Sequence, residues 1–228
     1  MLRFDGVALH REGFSLSADC QVTGPGITAV IGPSGGGKST LLSLVAGFEL
    51  PDEGRVIWDG DDLAPLAPGD RPVAILFQDN NLFPHLDVLT NVALGISPKP
   101  RPSLEALERA AAALAQVGLA GMEHRLPGVM SGGQQSRAAL ARVLLTDRAA
   151  VLMDEAFSAL GPALRGEMLD LTADLLADRL VMMVTHDPED AKRVAREMIF
   201  VDRGKVYPPG DTAALFARPG KALADYLA

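Results

Sequence analysis

Gly32-Pro33-Ser34-Gly35-Gly36-Gly37-Lys38-Ser39 fills every fixed position of the pattern G-x-x-x-x-G-K-[ST]. These residue types suit the capture of a polyphosphate. Glycines let backbone N–H groups converge on phosphate oxygens with no side chain in the way. A helix that begins at the loop, through Thr40, adds the partial positive charge of its N-terminus. Lys38 offers a point charge to the β- and γ-phosphates, and Ser39 a hydroxyl to Mg²⁺. A second group suits hydrolysis. The apolar run Ala150-Val151-Leu152-Met153 ends in Asp154-Glu155. Asp154 suits an indirect hold on Mg²⁺, and Glu155 suits positioning and deprotonation of an attacking water. An apolar run before two acids is weak evidence alone and gains its weight from the phosphate loop. The third group is Met130-Ser131-Gly132-Gly133-Gln134, expected to open a helix from about Gln134 to Leu145. It makes a second anion-binding helix terminus. One nucleotide does not need two such termini from one chain, so the spare one suggests two chains sharing nucleotides.

These groups need strands and helices to bring them together. Ile27-Thr28-Ala29-Val30-Ile31 is a short β-branched run that suits a buried parallel strand leading into the phosphate loop. Val73–Phe77, Ala150–Met153 and Leu180–Val184 read as further buried strands, and ligands in such sheets sit beyond the carboxyl ends. Leu2-Arg3-Phe4 alternates, and Arg55–Trp58 runs into the hairpin signal Asp59-Gly60. From about residue 79 to 146 the character is helical. Within it, Pro98 to Pro102 is a proline-rich break, and Ser103 caps a helix with a core-packing stripe of Leu104, Leu107, Ala111, Leu114 and Val117. The expected fold is α/β: a P-loop NTPase (RecA-like) core with an N-terminal antiparallel β region and an inserted helical subdomain. The expected layout is one domain over 1–228, with the core at 1–78 and 147–228 and the helical subdomain at 79–146.

Composition limits the alternatives. The 228 residues are 48% hydrophobic and 22% charged, which excludes a disordered chain or a fibre. A net charge of −8 argues against nucleic acid as a partner. The single cysteine, Cys20, forms no internal disulfide and fits a reducing cytoplasm. No apolar run reaches the roughly 18 residues of a membrane span, and the N-terminus lacks the apolar core of a signal peptide. The expectation is a soluble chain able to dock on a membrane protein.

Taken in order, the motifs resemble the ATP-binding subunits of ABC transporters, over essentially the whole chain. By this resemblance Gly32 to Thr40 binds ATP, and Ser131, Gly132, Gly133 and Gln134 are the signature, with Met130 where Leu is usual. Gln78 matches the Q-loop glutamine, Ser158-Ala159-Leu160 the start of the D-loop, and His186 the switch histidine. The resemblance implies ATP and Mg²⁺ as cofactors, with Ser39, Gln78 and Asp154 at the metal. It implies catalysis by Glu155, with His186 and Gln78 sensing the γ-phosphate and the metal. It also implies a head-to-tail pair of identical chains, transmembrane permease subunits and, indirectly, a periplasmic solute-binding protein. The implied place is the cytoplasmic side of the bacterial inner membrane.

Arg71 to Phe83 with its pair Asn80-Asn81, Arg125 to Gly128, and Phe157 to Arg165 resemble the ATPases of bacterial thiamine importers. Thiamine and its phosphate esters are therefore the expected cargo, with a metal ion or polyamine as the alternative. A soluble P-loop ATPase or kinase is the alternative from another class, but it has no use for Ser131 to Gln134. Three positions depart from the family pattern. Gly161 stands where Asp is usual, and Ala156 where Pro is common. The usual adenine-stacking Tyr is missing, with His10 or Phe14 as stand-ins.

Overall fold

The computed structural model describes residues 1–99 and 101–228; Pro100, inside the proline-rich break, lies outside the described residues. β1 (Leu2–Arg11) and β2 (Phe14–Val22) pair antiparallel and alternate buried with exposed side chains. That is the pattern of strands with one face in a core and one in water. β4 (Glu53–Trp58) joins the other edge of β1 and turns through Asp59-Gly60 into β5 (Asp61–Asp62). Asp59 and Gly60 have φ of 49° and 100°, as a two-residue hairpin requires.

The apolar runs behave differently. β3 (Gly26–Ile31), β6 (Val73–Phe77), β7 (Ala150–Asp154) and β8 (Leu180–Val184) pair in parallel, as their near-continuous apolar sequences demand. β9 (Glu197–Asp202) lies parallel on the other side of β3. β10 (Lys205–Val206) hairpins off β9 and meets β2, which fuses the antiparallel and parallel parts into one eleven-stranded sheet. β11 (Gly210–Asp211) adds to β9.

Side-chain alternation gives the parallel strands two cores. Ala29, Ile31, Val151, Met153, Val181 and Met183 face one way, into a core shared with most of the helices. Val30, Leu152, Met182 and Val184 face the antiparallel strands and α1 (Lys38–Ala46). Between β6 and β7 lie α2 (Val88–Ala93), α3 (Leu104–Gln116) and α4 (Gly132–Leu144), packed on one another. After β7 come α5 (Pro162–Leu175) and α6 (Pro188–Val194), and the chain closes with α7 (Thr212–Ala217) and α8 (Lys221–Leu227).

Two helices differ from expectation in detail. α3 is capped by Ser103, which accepts the Ala106 N–H at 3.2 Å. Its buried face, however, is Ala106, Ala110, Ala113 and Leu114, and Leu104 is 73% exposed in the first turn. Leu114 and Val117 of the expected stripe are fully buried and Leu107 packs against the core, while small alanines replace Leu104 where α2 and α4 approach closely. α4 starts two residues before Gln134 because Ser131 and Gln134 cap each other's backbone.

α1 must be held firmly, since it carries the phosphate loop at its front. Its rear is closed by Arg71, only 1% exposed. The guanidinium donates to the carbonyls of Leu44 at 2.7 Å, Val45 at 3.0 Å and Leu66 at 3.2 Å. A cation at the negative end of a helix is favourable. Gly47, with φ 84°, ends the helix where a Cβ would press on that guanidinium. Arg71→Met should therefore lower stability by about 2–3 kcal/mol, since it strips charged donors from buried carbonyls. Denaturant unfolding beside wild type measures this, and an unchanged midpoint would contradict the capping role.

Candidate functional site

The register of the parallel strands builds the site. Val30 of β3 lies opposite Val184 of β8, Val184 opposite Asp154 of β7, and Asp154 opposite Phe77 of β6. The residues just beyond that row are Ile31 leading to Gly32, Thr185 leading to His186, Glu155, and Gln78. Four motifs spread over 155 positions, from 32 to 186, thus meet at the carboxyl edge of one sheet.

Gly32 turns away from β3 with φ 148°, and a Cβ there would run into the Val201 carbonyl. Gly37 caps α1 in the left-handed region, φ 111°, with no side-chain cap on the first turn. The N–H groups of Lys38, Ser39 and Thr40 therefore keep no intrahelical partner and face out as anion donors. The Lys38 ammonium donates to the carbonyls of Gly32 at 2.8 Å and Pro33 at 3.0 Å. An ammonium has three donors, so one remains for a phosphate oxygen. Burial pulls the Lys38 pKa down, while the charges of Glu155 and Asp154 push it back up.

Ser39 Oγ donates to Asp154 Oδ1 at 3.1 Å. Burial raises the Asp154 pKa, the Ser39 hydrogen bond lowers it, the Glu155 charge raises it and the Lys38 charge lowers it. Glu155 has φ 48°, and its N–H donates to the Val184 carbonyl at 3.2 Å. Its carboxylate lies 3.4 Å from His186 Nδ1. Thr185 and Asp187 are fixed on either side of His186. Thr185 Oγ1 donates to Asp190 at 2.6 Å and accepts the Asp187 N–H at 3.1 Å, and Arg165 binds Asp187 at 2.5 Å.

A pocket of about 380 Å³ is lined by Ser34, Gly35, Gly37, Lys38, Ser39, Thr40, Glu155 and Phe14. Phe14, one of the two candidates for an adenine contact, is therefore at the loop. His10 is absent from that lining, and its N–H is taken by Asp52 at 2.6 Å. Gln78 is exposed beyond β6 and does not line the pocket.

Ser131 to Gln134 do not line it either. Gln134 N–H donates to Ser131 Oγ at 3.3 Å and Ser131 N–H to Gln134 Oε1 at 3.0 Å. Only the N–H groups of Gly132 and Gly133 are then left at this helix terminus for an anion. Gly133 sits where a Cβ would strike Leu164 of α5.

Gly161 is the bare N-cap of α5, with open space around it and Pro162 at the first helical position. Ala156 is buried. Three contributors gave no signal in the sequence: Arg165, Asp190 and Arg142. Arg142, in the last turn of α4, donates to the carbonyls of Asn81 at 2.7 Å and Asn80 at 2.9 Å. Both asparagines are left-handed, with φ 46° and 57°, which Asn tolerates better than most residues. That explains the pair after Gln78: the turn presents two successive carbonyls to one guanidinium.

The family described as ABC transporter matches residues 18–158. The thiamine import ATP-binding protein ThiQ of Cereibacter sphaeroides is 53% identical, covering 100% of this chain and 99% of that protein. The protein of the same name from Ruegeria sp. is 49% identical, with 100% and 99% coverage. Among solved structures, the ATP-binding cassette MJ0796, in a dimeric post-hydrolysis state bound to ADP and Pi, superposes with a TM-score of 0.77. It is 27% identical, over 93% of this chain and 99% of that one. The motif order, the sheet register and these likenesses agree: the chain belongs to the ABC transporter family.

Proposed function

We propose that two copies of this chain close on two ATP molecules, hydrolyse them and so drive thiamine import through transmembrane permease subunits. The place of action is the cytoplasmic face of a bacterial inner membrane. A periplasmic solute-binding protein would act only through the permease. The observation that carries the hydrolytic part is the meeting of open helix amides, the Ser39–Asp154 pair and the Glu155–His186 pair at one sheet edge. Thiamine as the cargo is supported by the names of the relatives at 53% and 49% identity over the full chain, and its phosphate esters follow from the family resemblance alone. No helix among the described residues is long and apolar enough to cross a membrane.

The roles follow from position. The N–H groups of Lys38, Ser39 and Thr40, with the Lys38 ammonium, hold the β- and γ-phosphates. Phe14 stacks on the base. Glu155 takes the proton of the attacking water, and His186, 3.4 Å away, orients that carboxylate and meets the γ-phosphate. Among the described residues no three His, Cys, Asp or Glu converge as a metal cage. A hydroxyl and a carboxylate 3.1 Å apart nevertheless fit Mg²⁺, a hard cation bound by few protein oxygens and completed by phosphates and water. Ser39 and Asp154 would hold it, with Gln78 near, and its chemistry would be to neutralise charge on the β- and γ-oxygens. Ser131 to Gln134 lie outside the pocket of their own chain and serve the pocket of the partner copy, with the amides of Gly132 and Gly133 turned to the γ-phosphate.

Labelled thiamine uptake into vesicles holding this chain with its co-purified permease tests the cargo. Uptake of another solute, with ATPase intact, would remove thiamine and keep the ATPase. Glu155→Gln should bind ATP with near wild-type affinity and lose turnover by about two to four orders of magnitude, the span of a lost general base. Wild-type turnover would remove Glu155 from that role. Lys38→Ala should weaken ATP binding itself, and unchanged affinity in a titration would contradict the phosphate assignment.

The permease surface is expected at the turn after Gln78. Phe83 is 47% exposed although its backbone is pinned by Asn91, whose Oδ1 accepts its N–H at 2.7 Å and whose Nδ2 donates to its carbonyl at 3.0 Å. Phe48 is likewise exposed while stacked on Phe77. Phe83→Ala should spare ATPase of the isolated chain and cost roughly 1–3 kcal/mol of docking, the range of an interface anchor. Joint loss of uptake, ATPase and melting temperature would assign Phe83 to internal packing instead.

A further inference from the structure

The His186 imidazole is not fixed by packing. Its side chain is 51% exposed and lies 3.4 Å from the Glu155 carboxylate. Its aim is therefore set by its backbone. The flanking residues are anchored through Thr185, Asp187, Asp190 and Arg165. The His186 peptide itself is gripped from another direction. Tyr226, in α8, donates its hydroxyl to the His186 carbonyl at 3.1 Å.

The surroundings of that hydroxyl are specific. The Tyr226 ring packs on Phe200 of β9, with centroids 5.6 Å apart. It also lines a groove of about 860 Å³ whose wall includes Pro33 of the phosphate loop. Burial pushes the phenol pKa up, a backbone hydrogen bond with Gly32 opposes this, and the charges of Asp187 and Glu155 raise it further. The group is thus a protonated donor at neutral pH. Ring packing alone would be served by Phe. The hydroxyl is spent on the His186 carbonyl.

We propose that Tyr226 is a positioning residue for hydrolysis, its hydroxyl holding the His186 backbone so that the imidazole faces Glu155 and the γ-phosphate together. This rests on the role given to His186 above. Tyr226→Phe keeps the ring and deletes only the hydrogen bond. On the full chain it should lower kcat by about three- to tenfold, the worth of one net hydrogen bond. KM and Kd for ATP and the melting temperature should stay at wild-type values.

His186→Ala measured beside it separates the two ideas. A wild-type rate for His186→Ala overturns the sensing role and the tether with it. An inactive His186→Ala beside a Tyr226→Phe of wild-type kcat overturns the tether alone. So does a Tyr226→Phe whose slower turnover comes with a matching fall in melting temperature, since that is a structural effect. The double variant should be no slower than His186→Ala, because a tether has nothing to position once the imidazole is gone.

Discussion

The structure depends on the hydrogen-bond register of its parallel strands. Backbone pairing sets Val30, Val184, Asp154 and Phe77 in one row. A slip of one residue would turn every side chain in a strand to the opposite face. It would exchange the cores on either side of the sheet and also part Glu155 from His186. The same alternation of apolar residues that makes burial favourable therefore fixes the geometry of the candidate site. Stability and chemistry rest here on one constraint.

That constraint also explains what could be read in the sequence. Local signals sufficed for the phosphate loop, the buried strands, the Asp59-Gly60 hairpin and the Ser103 cap, since each is specified within a few neighbouring residues. The meeting of Gly32, Gln78, Glu155 and His186 was inferable because buried parallel strands place their ends together. Properties that depend on what packs from afar were not legible. The buried face of α3 was chosen by close neighbours that favour Ala110 and Ala113 over Leu104. Nothing beside Arg71 in the chain marks it as a helix cap, yet it is buried under α1, where that helix end needs donors. Tyr226 is 40 residues from its partner, and no spacing rule connects them.

Charge in the site is balanced at short range. Asp154 and Glu155 repel each other, and burial makes an ionised Asp154 costlier. Lys38 is subject to the same burial and is kept charged by those two acids. Each sign makes the other tolerable in a place that water reaches poorly. The site thereby sets both signs of charge beside the open amides of α1.

Arg142 gives the helical region a mechanical property. α4 presents Ser131 at its N-terminus and grips the turn after Gln78 from its last turn. At 1.5 Å per residue the two ends are roughly 16 Å apart along one rigid rod. The rod is fastened at its rear by two hydrogen bonds to a pair of left-handed asparagines, a shape that few other residues adopt without strain. The turn after β6 and the Ser131 tip are thereby tied to the two ends of one helix. Packed against α2, α3 and α5, α4 makes the signature turn and the turn after β6 parts of one body, so neither is an independent loop.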